Sequence, residues 1–417
     1  MPGGQEVLRA AEALAPRERD FLRHYSALSR RFPPPLVRAA LETAILRGEA
    51  AGRFPQAAQM YFTREALEQA TPAAVAEYRA GRFAGFERVA DLGCSLGSDT
   101  LALARVAPVV GVDRDPLRLA LAAANLRALG LGERASFIQA DLRAGLPLAL
   151  SPGLGLFFDP ARRAQGRRAF SVREYQPPLE ILHTWLAACP ALGAKISPGV
   201  DLDELAGYPA EVEFISLDGE LKEAALWFGP LRSAVRRATL LSGSRRKAVL
   251  AGQAGVAETH TLTDQPAGVQ VHTLTADANR PASDAAALDA PRGWLYEPDP
   301  AVLRAGLVQQ LAVEMGAAQL DPEIAYLTTD EPVATPFARG WPVEAWFPFQ
   351  LKRLRQALRA RGVRQALVKK RGSPLDPQEL LQQLGVKEGT GSAADSRVIF
   401  LTHLRGQPVV ILCYPGP

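Results

Sequence analysis

The chain has 417 residues, 47% of them hydrophobic and 22% charged, with a formal net charge of +4 at pH 7, which predicts a water-soluble protein of two or three domains. Its first residues lack the apolar core of a secretory signal, and no apolar run reaches the roughly 18 residues of a membrane span. The three cysteines, Cys94, Cys189 and Cys413, are too few and too scattered for a disulfide framework or a zinc knuckle, so we expect a cytoplasmic protein without a structural metal.

Residues 1–80 are predicted to be a helical N-terminal region. Long Ala, Leu, Arg and Glu stretches place apolar residues three and four positions apart, as in VRAALETAIL, and RFPPPL interrupts them once.

Residues 81–242 are predicted to be an α/β domain, because short apolar strands now alternate with helices. The predicted strands are RVADLGC, VVGVDRD, ASFIQADL, GLGLFFDPA and GAKISPG. Between the second and third strands, DPLRLALAAANLRALGLG predicts a helix that begins at Asp115 and ends near Gly130. This alternation is typical of a parallel, doubly wound sheet.

Residues 243–293 are predicted to be a linker or irregular extension, since TADANRPASDAAALDAPRG is rich in Ala, Asp and Pro. Residues 294–417 are predicted to be a smaller α/β domain. Its predicted helices are DPAVLRAGLVQQLAVEMG, FPFQLKRLRQALRARG and DPQELLQQLG, and its predicted strands are QALVKKRG, RVIFLTHLRG and QPVVILCYP. From residue 341 onwards, 12 Lys and Arg stand against 5 Asp and Glu, which favours either a polyanionic partner or a solvated helix face.

The segment VADLGCSLGSDTLALA joins a predicted strand to a helix through Gly93 and Gly97, and glycine lets a backbone turn sharply and approach a ligand. Four acids stand at the ends of successive predicted strands, the first of them within this segment: Asp91, Asp113, Asp141 and Asp159. The spacings between them are 22, 28 and 18 residues. Because ligands bind outside the carboxyl ends of such strands, these acids are expected to line one site.

This series resembles the class I S-adenosylmethionine-dependent methyltransferases, and the resemblance implies a Rossmann-like fold. It implies that residues 91–97 hold the methionine part of S-adenosylmethionine, that Asp113 accepts hydrogen bonds from the ribose hydroxyls, and that Asp141 faces the adenine amino group. The full set of implied cofactor-binding residues is Asp91, Gly93, Cys94, Ser95, Gly97, Asp99, Asp113, Arg114, Asp141, Leu142 and Thr63. Asp99 could instead complement the N-terminus of its helix. A dinucleotide dehydrogenase would need G-x-G-x-x-G, a spacing that GCSLG lacks.

The segment FFDPARRAQGRRAF follows the fourth predicted strand. In methyltransferases of exocyclic amines this strand ends in Asp or Asn, two prolines and an aromatic residue, and the acid and the first proline carbonyl accept hydrogen bonds from the amine. Asp159 and Pro160 match these catalytic positions, whereas Ala161 and Arg162 depart from the pattern. The arginines of the segment suit phosphate or base contacts, or else a solvated loop: Arg162, Arg163, Arg167 and Arg168.

The same segment is also similar to that of the RNA 5-methyluridine methyltransferases. Those enzymes need a nucleophilic cysteine at the end of the next strand, which here reads ISPGV. Cys189 precedes that strand and is expected to be buried, so this chemistry is disfavoured.

Two further resemblances concern the flanking regions. Residues 61–80 are similar to the segment that closes over the cofactor in guanine-N2 methyltransferases of the trimethylguanosine synthase type, although Thr63 would serve equally well to start a helix. WLYEPDPAVLRAGL, QLDPEIAYLT, PFQLKRLRQALRARG and ALVKKRG resemble a bacterial methyltransferase family that ends in a THUMP-like domain, and THUMP domains bind RNA. Lys369, Lys370 and Arg371 would then contact phosphates.

We therefore predict an S-adenosylmethionine-dependent methyltransferase that acts on structured RNA, either tRNA or rRNA, at a base amine such as guanine N2. RNA is the expected partner, without a membrane or a metal. The alternatives are a non-catalytic RNA-binding protein that keeps the cofactor fold, and a methyltransferase for a protein or small molecule.

Overall fold

The structure is a computed structural model that describes residues 3–151, 153–164, 167–168, 171–243, 269–276, 286–391 and 394–416. The chain divides into two compact units. The first comprises Met1–Ala210 and Ala224–Ser233, and the second comprises Glu211–Glu223 and Ala234–Pro417. No helix among the described residues is long and apolar enough to cross a membrane.

The helices of the first unit are α1 (Gly4–Glu12), α2 (Phe21–Leu28), α3 (Pro34–Ala50), α4 (Arg64–Gln69), α5 (Ala73–Ala80), α6 (Ser98–Val106), α7 (Pro116–Ala128) and α8 (Ile181–Ala188). Its strands are β1 (Arg88–Leu92), β2 (Val109–Asp113), β3 (Ala135–Gln139), β4 (Leu154–Phe158), β5 (Arg163–Ala164), β6 (Arg167–Arg168) and β7 (Leu192–Ile196).

Helices α1 to α5 confirm the predicted helical N-terminal region. Val7, Leu28 and Leu41 share one apolar cluster in α1–α3, as expected for helices with apolar residues on one stripe. The chain after α3 joins the main core, where Met60 and Phe62 belong to the same cluster as residues of α6 and β2.

The central sheet of the first unit confirms the predicted doubly wound fold. Strands β7, β4, β1, β2 and β3 lie in that order and pair in parallel. Residues 224–227 of β9 (Glu220–Trp227) pair antiparallel with β7. The strand order reverses between β1 and β4, which is where open α/β sheets bind their ligands.

The other strands of the second unit are β8 (Glu211–Leu217), β10 (Arg236–Ser242), β11 (Gln270–Ala276), β12 (Trp294–Pro298), β13 (Ala318–Asp321), β14 (Ile324–Thr329), β15 (Ala338–Pro348), β16 (Gln365–Lys370), β17 (Lys387–Glu388), β18 (Ser396–Leu404) and β19 (Gln407–Cys413). Its helices are α9 (Pro300–Ala305), α10 (Val308–Met315), α11 (Leu351–Ala360) and α12 (Pro377–Leu384).

Two groups of strands organise the second unit. Strand β10 pairs in parallel with β8 and antiparallel with β11. An eight-stranded sheet has the order β13-β14-β12-β15-β19-β18-β16-β17. Helices α11 and α12 pack on it through Leu354, Leu358 and Leu381, so the predicted leucine stripe of α11 is part of the core.

Several predictions for the last 175 residues need adjustment. The segment predicted as one long helix forms α9 and α10, because Gly306 takes a left-handed conformation with φ of 73° between them. Strands β12 to β15 were not predicted. Within the predicted linker, β11 is a regular strand, whereas residues 244–268 and 277–285 lie outside the described residues.

Candidate active site

The reversal point of the sheet brings the glycine loop against the end of β4. The Asp159 amide donates to the Leu92 carbonyl at 2.9 Å, and the Gly93 amide donates to the Val112 carbonyl at 2.8 Å. A Cβ added at Gly93, whose φ is +94°, would lie 2.4 Å from the Asp159 carbonyl oxygen. The loop can therefore pass β4 only with glycine at this position.

Asp113 fixes the other side of the loop. Its carboxylate accepts hydrogen bonds from the Ser95 amide and the Asp115 amide, both at 2.9 Å. Ser95 takes a left-handed conformation with φ of 49°. The Cys94 side chain is buried, and burial raises the pKa of its thiol, so its contribution to the site is packing and backbone.

Asp91 is a fully buried acid at the end of β1. One carboxylate oxygen accepts a hydrogen bond from Thr100 Oγ1 at 2.6 Å, whereas Oδ1 has no partner among the described residues. Burial first, and then repulsion from Asp99 and Asp159, raise the pKa of Asp91 to about 8. A buried acceptor without a donor is unfavourable, and it fits a ligand that brings an ammonium or hydroxyl group.

Asp99 lies in the first turn of α6, where it forms a buried ion pair with Arg79 of α5. Thr71 donates a second hydrogen bond to its carboxylate at 3.2 Å. Arg79 is 2% exposed, and its guanidinium lies 4.4 Å from the centre of the Phe157 ring. The acid thus does more than complement the helix terminus: it neutralises a buried cation beside the glycine loop.

Lys195 is a buried residue of the candidate site that the sequence analysis missed. It lies in β7, is 3% exposed, and donates to Asp159 Oδ2 and Thr71 Oγ1, each at 2.8 Å. A single signal was present in the sequence, since a lysine in the otherwise apolar strand LGAKI is unusual for a buried position. The same reasoning applies to Arg79 in the helical segment AAVAEYRA.

Four predicted cofactor residues remain: Thr63, Arg114, Asp141 and Leu142. Asp141 follows β3 and binds Arg143, whose hydrogen bonds hold the pKa of Asp141 down at about 2. Thr63 caps α4 by accepting from the Ala66 amide at 3.2 Å. Among the described residues, no hydrogen bond joins Asp141 or Thr63 to Asp91, so their cofactor contacts remain predictions. Arg114 follows β2 and is exposed, whereas Leu142 follows β3 and is buried.

The segment after β4 begins with the two predicted catalytic residues. Pro160 is buried, and Ala161 forms a two-way backbone bridge with Gln176 at 3.1 and 3.0 Å. Arg162 points its guanidinium at the Ile196 carbonyl, 3.5 Å away. The backbones of Arg163 and Arg168 then pair in the short hairpin β5–β6, which also contains Arg167.

The basic residues predicted in the second unit make contacts within that unit. Lys369 forms an ion pair with Glu297, and Arg371 lies 3.9 Å from the same carboxylate. Lys370 is exposed and donates to the Leu375 carbonyl at 2.9 Å. Trp341 and Phe347 are core residues, whereas Trp346 is 38% exposed.

Among the described residues, no three His, Cys, Asp or Glu side chains are grouped so that they could hold a metal ion. Cys189 is buried and its thiol faces the Leu154 carbonyl at 3.1 Å. This geometry is that of a packed thiol, as expected, and not of a nucleophile at the end of β7.

The fold and the site define a class I methyltransferase. Over its whole length the structure is similar to a crystal structure of a candidate methyltransferase from Porphyromonas gingivalis W83, with a TM-score of 0.73 over 99% of this chain and 98% of that chain at 23% identity. That likeness supports the fold alone.

Sequence similarity identifies the family. The chain is 37% identical over 360 residues to an uncharacterised S-adenosylmethionine-dependent methyltransferase of Mycobacterium tuberculosis, found in strains H37Rv and CDC 1551 / Oshkosh, covering 83% of this chain and 88% of that protein. Residues 338–415 match the THUMP domain-like family, and residues 1–50 match a domain family of unknown function. The protein belongs to the S-adenosylmethionine-dependent methyltransferases, and S-adenosylmethionine is its cofactor.

Proposed function

We propose that this methyltransferase acts on structured RNA, tRNA or rRNA, at an exocyclic base amine such as guanine N2. The observation that carries the proposal is the position of Asp159, which lies at the sheet reversal with its backbone against Gly93 of the predicted cofactor loop and is followed directly by Pro160. A group held by Asp159 is therefore adjacent to the loop that family resemblance assigns to the methionine part of the cofactor.

Asp159 and Pro160 supply acceptors suited to an amine. A carboxylate oxygen and the proline carbonyl can each accept one amine N–H, which fixes the direction of the nitrogen lone pair. Residues 91–97 and Asp113 would hold the cofactor, which would supply a methyl group on a sulfonium, and the amine nitrogen that accepts the methyl group would release one proton. The Asp159 carboxylate, as an acceptor of the amine N–H, could take that proton.

The electrostatics of the second unit support an RNA substrate. Its THUMP domain-like part contains α11, in which Leu354 and Leu358 are buried. Lys352, Arg353 and Arg359 of the same helix are exposed. Such a basic helix face attracts phosphates without reading bases. We assign the phosphate contacts of this unit to that face together with Lys370, because Lys369 and Arg371 are directed at Glu297.

The segment after Asp159 supports the same substrate class from the first unit. Arg162 stands where the family pattern has an aromatic residue after the prolines. An arginine plane can stack on a base or bind a phosphate bidentately. Three further arginines of the sequence lie within nine residues of Asp159, and we propose that they contact phosphates: Arg163, Arg167 and Arg168.

The test is transfer of tritiated methyl groups from S-adenosylmethionine into RNA from a strain that lacks the gene, followed by nucleoside analysis. We expect N2-methylguanosine from the wild type and a loss of at least about 100-fold in Asp159→Ala, since that change removes the positioning acceptor. Asp20→Ala is the control, because the ion pairs of Asp20 with Arg19 and Arg23 are surface pairs. Label in 5-methyluridine, or in protein and not RNA, would overturn the proposal.

A further inference from the structure

The Lys195–Asp159 pair joins the ends of two adjacent strands, β7 and β4. The distance between Lys195 Nζ and Asp159 Oδ2 is 2.8 Å, and the two side chains are 3% and 21% exposed. Of the described residues, Lys195 alone hydrogen bonds this carboxylate. The residue assigned to the acceptor amine is thus held by a cation that the family motif does not contain.

Lys195 also connects Asp159 to the cofactor side of the site. Its Nζ donates to Thr71 Oγ1 at 2.8 Å, and Thr71 donates to Asp99 at 3.2 Å. Asp99 lies one residue after the start of α6, the helix that follows the glycine loop. One buried hydrogen-bonded chain therefore runs from the acceptor carboxylate to the helix of the cofactor loop.

Lys195 supplies the cation that faces Asp159. Three acids, Asp91, Asp99 and Asp159, stand against two cations, and one of these, Arg79, is paired with Asp99. Without Lys195, the Asp159 carboxylate would keep neither a cation nor a hydrogen-bond donor among the described side chains.

We propose that Lys195 is a positioning residue for methyl transfer: its hydrogen bond to Oδ2 holds the Asp159 carboxylate so that the other oxygen is turned toward the acceptor amine. This inference rests on the proposed function of Asp159. A carboxylate whose orientation is fixed in advance presents its acceptor to the amine without losing rotamer freedom when the substrate binds.

The first experiment compares RNA methylation by Lys195→Met and Lys195→Arg in the full-length protein. Lys195→Met removes the donor that holds the Asp159 carboxylate, so kcat should fall about tenfold to 100-fold, with the KM for S-adenosylmethionine changed less than about threefold. Lys195→Arg should recover most of that loss in kcat, because it keeps a cationic donor.

A double-mutant cycle with Asp159→Asn separates this role from general damage. Asp159→Asn removes the carboxylate that Lys195 orients, so Lys195→Met should cost little more in kcat in that background. Additive losses in the two variants, or a Lys195→Arg variant as slow as Lys195→Met, would overturn the proposal. Other charged groups of the site, Arg79, Asp91 and Asp99, are unchanged in all variants.

A measurement without RNA distinguishes failure of this inference from failure of the proposed function. In protein labelled with 13C at the aspartate carboxyl carbons, the Asp159 signal is assigned by its absence in Asp159→Asn and compared at one pH in wild type, Lys195→Met and Lys195→Arg. A signal that moves in Lys195→Met and stays near its wild-type position in Lys195→Arg supports the inference even where no RNA is methylated, an outcome that would reject only the RNA substrate. An Asp159 signal unchanged in Lys195→Met would reject the role of Lys195 whatever the RNA assay shows.

Discussion

The carbonyl oxygen of Asp159 occupies the space into which any side chain at Gly93 would project. An added Cβ would lie 2.4 Å from that oxygen and 3.3 Å from its carbonyl carbon. Both atoms belong to the backbone, so they cannot rotate away as a flexible side chain could. The glycine loop and the catalytic segment therefore cannot be altered independently of each other.

Gly93→Ala should abolish cofactor binding and destabilise the first unit, because the loop must move away from β4. Gly130→Ala is the matched control, since Gly130 also has a positive φ, +74°, but a Cβ there would meet nothing within 4 Å. The control should lose only the roughly 1 kcal/mol of a left-handed alanine and bind S-adenosylmethionine normally. Calorimetric titration and thermal unfolding of both variants make the comparison, and equal behaviour of the two would contradict the steric argument.

Arg79→Met should cost about 3–5 kcal/mol in the free energy of unfolding, because it leaves the Asp99 carboxylate buried without its cation. The pair of Arg38 with Glu42 provides the control, since both side chains are more than half exposed. Arg38→Met should cost about 1 kcal/mol or less. Urea unfolding of the two variants measures the difference, and similar losses would show that the buried pair contributes no more than a surface pair.

Asp91→Asn should flatten the pH dependence of stability. The pKa of Asp91 rises from 3.8 to about 8 on folding, so its contribution is complete below about pH 4 and is lost as the pH rises through about 8. The variant should therefore lose less stability than the wild type between pH 5 and pH 9, as measured by urea unfolding across that range.

Asp141→Asn tests the sign of this effect. Its pKa is lowered to about 2 by Arg143, so its contribution is present above about pH 4 and is lost only in more acidic solution. Across the range from pH 5 to pH 9 its unfolding curve should run parallel to that of the wild type. A parallel curve for Asp91→Asn would exclude a buried proton at Asp91.

The positions of the acids could be predicted from the sequence because strand periodicity fixes which residues lie at strand ends. Three acids follow apolar runs that can only be central strands, and all three lie where the parallel strands have their carboxyl ends: Asp91, Asp113 and Asp159. What these acids contact could not be predicted in the same way. Arg79 and Lys195 reach the site from a distant helix and from a later strand, and no local pattern specifies their partners.

The strands β12 to β15 also could not be predicted from local sequence patterns. β14 and β15 read as strands only once their partners are known, because half-buried residues blur the alternation of apolar and polar positions. Conversely, Lys369 and Arg371 looked like a phosphate-binding patch because the sequence does not reveal Glu297 opposite them. Charge along the chain predicts a basic segment, while tertiary pairing decides which of its charges face solvent.

RNA binding should depend on salt through the exposed basic residues and not through the paired ones. Replacing Lys352, Arg353 and Arg359 of α11 together by alanine should weaken binding at all sequences and reduce the slope of log K against log salt by about two, since roughly 0.7–0.9 counterions are released for each phosphate contact. Lys369→Ala should change the slope little, because that lysine is paired with Glu297. Arg9→Ala, an exposed change in α1, serves as the control. Filter binding of the unmodified RNA at several salt concentrations gives the slopes, and an unchanged slope in the triple variant would mean that α11 does not contact the backbone of the RNA.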